Sequence, residues 1–412
     1  MAERKVYDFE VACQRAVLGI QEHGQPPEHL VIDAPIDADT AIEIHNRLGD
    51  GCEVAGYNNF GFDTYLLNAL LNGAGPQYLH EVAQEIIGFR GPAWKVAQAH
   101  GLGKSGFNEL DLMHYTPRGR LKEYEGRLGM EIKDLPFDPS APITDEMLPA
   151  VIKYLEHDLY ATEKLRQAVD GDILARVLLE EMFGVAELTK KTAANVAAAI
   201  IVAEYSREMP GVDLRDMKAA SSRMRNCSFD FYVPDWVRKG IAGTIAQGIA
   251  DAIDGTEFKI VDGVRQPPSR EWPELITLSD DDCLEANFGL GGIHTKDEAC
   301  NYAAISFDVA SLYPHIIMHE DCAPTHLDAS IFHEIYGRLI KRRLEAKRAS
   351  DKPTSNALKL VLNSCFGAYN FPFSPLYSLD AFLSITVSGQ LCLLALADRM
   401  KQTQKQEVIE HV

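Results

Sequence analysis

Basic residues are scarce in this chain of 412 residues: 40 lysines and arginines stand against 60 aspartates and glutamates, a formal net charge of −20. That deficit excludes a non-specific nucleic-acid coat, because phosphates are neutralised by Lys and Arg. It leaves room for a nucleic-acid enzyme that keeps its cations local and spends carboxylates on metals. Cysteine is thinly scattered, at 13, 52, 227, 283, 300, 322, 365 and 392, with no CxxC pair. A zinc ribbon and a disulfide scaffold are thereby excluded. There is no run of eighteen apolar residues, and the opening MAERKVYDFE has no apolar signal core. The expectation is a soluble, reduced, cytoplasmic protein with no membrane partner. Internal repeats and low-complexity tracts are absent too. What is there is a globular composition, 46% apolar and 24% charged, long enough for two or three cores.

Strand-like stretches at 5–12, 52–57 and 109–115 alternate with helical ones at 64–73 and 149–167. That order predicts an α/β domain over roughly 1–170. Residues 171–285 read as helical and mixed. A strand is expected over 302–318, turned or ended by Pro314. Two helices follow at 328–349 and 354–367, linked by Asp-Lys-Pro-Thr-Ser. The segment 404–412 reads as the start of another strand. GLGKS at 101–105 imitates a phosphate loop, but the required first glycine is Gln98, so it is set aside.

Carboxylates carry the chemistry of the first domain. Asp8 and Glu10, two apart on a strand, share one face. Paired acids on one short strand are costly without a cation between them. Asp63 lies at the mouth of a helix, four residues after Asn59. Tyr154 and Asp158 are spaced i,i+4 and share a helix face. Each pair alone reads as surface acids or a solvated helix face. Together, in this order, four acids suit two Mg²⁺ ions about 4 Å apart, with Mn²⁺ as an alternative. Tyr154 would hydrogen-bond the attacking water or scissile phosphate, and Asn59 would position the substrate end.

These residues resemble the 3′→5′ proofreading exonuclease of family B DNA polymerases. Asp8-Phe9-Glu10 matches its Asp-x-Glu motif, Asn59 to Asp63 its Asn-x-x-Phe-Asp motif, and Tyr154 to Asp158 its Tyr-x-x-x-Asp motif. The resemblance implies an RNase H-like exonuclease fold. It places Asp8, Glu10, Asp63 and Asp158 as metal ligands, Tyr154 as catalytic, and Asn59 and Phe62 on the single-stranded 3′ end.

The second half extends the resemblance. SFDVASLYP, 306–314, is similar to the first palm motif of the same family. Asp308 is implied as a metal ligand, Ser311 and Leu312 as part of the triphosphate seat, and Tyr313 as the platform that excludes a 2′-hydroxyl. KLVLNSCFG, 359–367, looks like the fingers motif Lys-x-x-x-Asn-Ser-x-Tyr-Gly, with Phe366 for the usual tyrosine. Lys359 and Asn363 share a helix face and would meet the incoming dNTP. Gly367 would let a base pair or backbone approach. Lys341, Arg342, Arg343, Lys347 and Arg348 form a basic cluster between the motifs. Arg343 and Lys347, again i,i+4, would contact the β- and γ-phosphates. GLGGIH, 289–294, resembles the template-binding loop, though weakly.

A second palm carboxylate motif, needed for two-metal transfer, is not found after residue 367. Three explanations are open: a natural split into two polypeptides, a truncated form, or a chain turned to exonuclease use alone. The split is the expectation, with an unpaired strand edge and apolar surface covered by a second polypeptide. The first motif begins at residue 8, so a compact, phage-like layout is expected, in a bacterial or phage-infected cytoplasm. The expected architecture is an RNase H-like α/β exonuclease over 1–170 and a connecting region over 171–285. Palm follows over 286–325, helical fingers over 326–370, and an incomplete α+β palm over 371–412. The competing functions are a stand-alone exonuclease, a non-catalytic DNA-binding assembly module, and a metal hydrolase of another substrate. The last leaves 306–367 unexplained.

Overall fold

In the computed structural model, residues 3–49, 51–135, 138, 141–273, 275–277, 285–295, 308–309, 311–319 and 322–404 are described. The chain divides into two compact units, Met1–Leu174 and Ala175–Val412.

The first unit holds β1 (Arg4–Val11), β2 (Ala16–Glu22), β3 (Glu28–Ile32), α1 (Ala38–Leu48), β4 (Glu53–Gly56) and α2 (Asp63–Leu71). It continues through α3 (Pro76–Gly88), α4 (Ala93–Ala99), β5 (Glu109–Asp111), α5 (Leu121–Arg127) and α6 (Leu148–Ala168). The sheet order is β3-β2-β1-β4-β5. The first three strands are antiparallel, while β4 and β5 run parallel to β1. Alternation along β1 divides the side chains between two cores. Tyr7 and Phe9 pack with Leu66, Leu67, Leu70 and Val82 of α2 and α3. Val6 packs on the other face, with Val17, Val151, Leu155 and Leu159. Asp8 and Glu10 have the parity of Val6, so they lie on the α6 face.

Gly19 is what lets α6 approach. It pairs with Asp8 across β1 and β2, and a Cβ there would lie 2.7 Å from Leu159 Cδ1 and 3.0 Å from Leu155. The far end of α6 is fastened by Arg166, which is buried and donates through Nε to Glu53 Oε1 at 2.8 Å.

The second unit contains α7 (Asp170–Phe183, entered from the first unit), α8 (Ala193–Glu208), α9 (Leu214–Arg223), β6 (Cys227–Phe231), α10 (Asp235–Ile241), α11 (Ile245–Ile253), β7 (Thr256–Val261) and β8 (Val264–Arg265). Then come β9 (Leu275–Thr277), β10 (Glu285–Phe288), β11 (Ile293–Thr295), α12 (Leu312–Ile317), α13 (Ala329–Arg348), α14 (Lys352–Tyr369) and α15 (Leu379–Gln404). Two small sheets, β6-β7-β8 and β9-β10-β11, flank a large helical core. Asp213, Asp328 and Asp351 accept backbone N–H groups at the starts of α9, α13 and α14, which fixes where those helices begin. The window Leu379–Met400 of α15 has the length and apolar content of a membrane span, but 72% of it is buried, as a core helix is.

Several expected elements change shape. The strand expected over 109–115 stops at Asp111 and becomes a 3₁₀ turn, Leu112–Tyr115, begun by the Asp111 side chain accepting from Met113 N. The strand expected over 302–318 is corrected over its last part: 312–317 is the helix α12, entered through Ser311 in the left-handed region (φ 56°). Its earlier part, 302–307, lies outside the described residues, as does the strand expected over 404–412 beyond Gln404. The paired helices at 329–348 and 352–369 match their expected places, with Pro353 in the first turn of α14, where no N–H is needed.

Candidate metal and nucleic-acid site

Asp8 and Glu10 on β1 and Asp158 on α6 bring carboxylate oxygens within 4.8 Å of one another. All three are partly buried. Crowding and desolvation both oppose ionisation. The Asp8 and Glu10 carboxyls are pushed well above the usual carboxylate range, first by burial, then by neighbouring acids. For Asp158 the same causes, burial and then Asp8, push the value up to about 7. Asp63, at the first turn of α2, is buried and also pushed up to about 7, chiefly by burial. Its charge acts on Asp8 and Glu10, and its Oδ1 has no hydrogen-bond partner among the described residues. Tyr154 shares the α6 face with Asp158; burial and that carboxylate raise its phenol, so it stays a donor.

The donor set is oxygen only. Hard cations such as Mg²⁺, Mn²⁺ or Ca²⁺ fit it, while softer metals want nitrogen or sulfur. Three partly buried carboxylates this close need a cation or protons to coexist. Metal ligation is therefore a chemically consistent use of the cluster.

The residues behind the cluster were not legible beforehand. Glu109, 2% exposed, accepts from Tyr7 Oη (2.9 Å), Asn59 Nδ2 (3.0 Å), Thr64 Oγ1 (2.5 Å) and Ser105 Oγ. Tyr7 precedes Asp8, and Thr64 follows Asp63. One buried carboxylate thus ties down the neighbours of both acids. Asn59, expected at the substrate end, is instead fully buried and spends its amide on Glu109. Gly56 has no side chain because Asn59 Cβ would lie 2.7 Å from a Cβ there. Asp111 accepts from Asn58 N at 2.9 Å and Phe60 N at 3.2 Å, holding the turn that leads through Phe62 to Asp63. Lys122 of α5 places its Nζ 5.9 Å from the Tyr154 ring centre and draws the Glu10 value down. Glu109 and Lys122 carry no sequence signal, since each lies far along the chain from the motifs at 8–10, 59–63 and 154–158.

In the second unit, Asp308 is exposed. Ser311 Oγ accepts from Arg343 Nη1 at 3.1 Å, joining the turn before α12 to α13. Lys347, one turn on, is exposed, as are Lys359 and Asn363 on α14. Leu312 and Tyr313 pack against the helical core. Tyr313 meets Phe366 with ring centres 4.7 Å apart, and Phe366 stacks on Phe382 at 5.7 Å. The Phe366 ring therefore works by packing, where a hydroxyl is not used. A Cβ at Gly367 would meet Ala194 Cβ at 3.7 Å, an ordinary contact, so no close approach among the described residues needs that glycine. The close approach falls at Gly389, where a Cβ would lie 3.1 Å from the Tyr313 ring. GLGGIH forms the turn between β10 and β11, held from α15 by Gln390 Nε2 donating to Gly289 O at 2.9 Å.

No protein-family model matches this sequence, and no curated protein matches it. Among solved structures, it is similar to the family B DNA polymerase from the hyperthermophilic archaeon Pyrobaculum calidifontis. The TM-score is 0.52 at 14% identity, over 98% of this chain and 52% of that one. The chain thus has a mixed α/β fold distantly related to that of a family B DNA polymerase, and spans about half of that protein's length.

Proposed function

We propose that this chain is a DNA-processing subunit with a 3′→5′ exonuclease in its first unit. In its second unit it carries part of a family B polymerase site. The observation that carries the proposal is the convergence of Asp8, Glu10 and Asp158 within 4.8 Å. An RNase H-like assignment is supported by the order β3-β2-β1-β4-β5, with both acids of the first motif on the central strand.

Asp8, Glu10, Asp63 and Asp158 hold the metals of the exonuclease. A divalent ion held there would supply a lowered water pKa and positive charge against the phosphate. Tyr154, kept protonated, donates a hydrogen bond to the scissile phosphate or the attacking water. Phe62 contacts the single-stranded 3′ end. Asn59 acts indirectly, by fixing the turn that presents Phe62 and Asp63.

In the second unit Asp308 supplies the first palm carboxylate. Ser311, Leu312 and Tyr313 seat the triphosphate and sugar of a dNTP. Arg343, Lys347, Lys359 and Asn363 meet its phosphates, and Gly367 lets a base pair or backbone approach. Two-metal synthesis also needs a second palm carboxylate, and residues 368–412 carry no recognisable motif for one. The segments 171–285, 286–325, 326–370 and 371–412 serve as connector, first palm part, fingers and palm continuation.

Calorimetry tests the metal assignment. Mg²⁺ or Mn²⁺ should bind the wild type, and replacement of Asp8 and Glu10 by Ala should abolish that heat. Equal binding by the double variant would remove the assignment.

A further inference from the structure

We infer that the turn joining α3 to α4 is a second binding site, a stacking platform for single-stranded nucleic acid apart from the carboxylate cluster. Three large apolar side chains stand exposed within eight residues of this turn: Ile87 (67%), Phe89 (43%) and Trp94 (54%). A soluble surface rarely displays such a group without a ligand for it. The rings are seated. Phe89 folds back on Gly91, where a Cβ would lie 2.4 Å from Phe89 Cε1. Lys95 Nζ sits 5.8 Å from the Trp94 ring centre, within cation–π range.

Charge selects the ligand. In a chain of net charge −20, residues 86–108 contain no aspartate or glutamate, yet carry Arg90, Lys95 and Lys104. Neither Arg90 nor Lys95 makes an ion pair among the described residues, and both are exposed. Glu85, just before the acid-free stretch, is met by His100 Nε2 at 2.7 Å. Aromatic faces interleaved with unpaired cations are what a base-and-phosphate polymer needs: bases stack on the rings and phosphates meet the cations. Bases exposed in a single strand can reach such a platform, whereas those stacked inside a duplex cannot. Choosing DNA as the polymer rests on the nuclease proposal.

The test measures fluorescence anisotropy of labelled (dT)₂₀ with the full chain in EDTA, where hydrolysis cannot contribute. Failure here is thus separable from failure of the nuclease proposal. Phe89→Ala with Trp94→Ala should weaken binding about tenfold or more. Arg90→Gln with Lys95→Gln should weaken it as well, and lower the salt slope by roughly 1.4, about 0.7 per lost phosphate. Trp94 emission should be quenched by (dT)₂₀, and the quench should vanish in Trp94→Phe. All four positions are exposed, and unchanged circular dichroism would verify folding. No binding by the wild type, or unchanged affinity in both double variants, would overturn the inference. So would a dimer that the aromatic variant splits without change in (dT)₂₀ affinity, since the face would then be a protein interface.

Discussion

Asp158 and Asp63 give the metal-free protein a distinct pH response. Both carboxyls rise from an ordinary 3.8 to about 7 in the fold, chiefly through burial. Below about pH 4 they are protonated in folded and unfolded chains alike. Between 4 and 7 the unfolded chain releases protons that the folded one keeps, so stability falls as pH rises. In EDTA the melting temperature of the first unit should drop by roughly 5 °C or more from pH 5 to pH 8. Asp158→Asn should flatten that slope, and Mg²⁺ should restore stability at pH 8 but not at pH 5. A wild type whose melting temperature is flat across this range in EDTA would contradict the burial argument. Glu109 is a second test. Glu109→Ala strands several buried donors, so urea unfolding should show a loss of about 2–3 kcal/mol. A loss well under 1 kcal/mol would mean the donors find other partners. Asp8, Glu10, Tyr154 and Asp158 were legible because their spacings match the periods of a strand and a helix. Glu109 was not: one acid on a three-residue strand has no pattern, and its role exists only where four distant donors meet.

At the scale of elements, the helix α6 matters because it carries Asp158 and Tyr154 to the strand that carries Asp8 and Glu10. Gly19 sets that distance. Gly19→Ala puts a methyl group against Leu159 and Leu155. Overpacking should destabilise the first unit by about 1–3 kcal/mol. Moving α6 off the sheet should also lower hydrolysis by about 10²-fold, because ångström shifts at reacting centres are that costly. A variant that is destabilised but fully active would show the cluster tolerates displacement. β1, β4, α2 and α6 were legible from apolar periodicity and helix signals. β2 and β3 were not among the expected strands, though AVLGIQE and EHLVI carry strand-forming residues. α12 was read as the last part of a strand that Pro314 would turn or end, whereas the chain is helical through that proline. A proline in the first turn of a helix needs no partner for its missing N–H.

At the scale of the whole molecule, the two units carry separable chemistry in the proposed function. Asp308→Ala should abolish primer extension by any form of the protein that carries the remaining palm, and leave degradation intact. Asp8→Ala should do the reverse. Loss of both activities in either single variant would contradict separate sites. The sequence marked both halves through short motifs and put the first domain at roughly 1–170; the chain divides after Leu174, within the helix α7. The most direct measurement is a gel of 5′-labelled single-stranded DNA incubated with the chain and Mg²⁺. The wild type should give a ladder that shortens from the 3′ end, and Asp8→Ala with Glu10→Ala should leave the strand whole. Intact DNA with the wild type, or the same ladder from the double variant, would contradict the assignment of Asp8, Glu10 and Asp158 to hydrolysis.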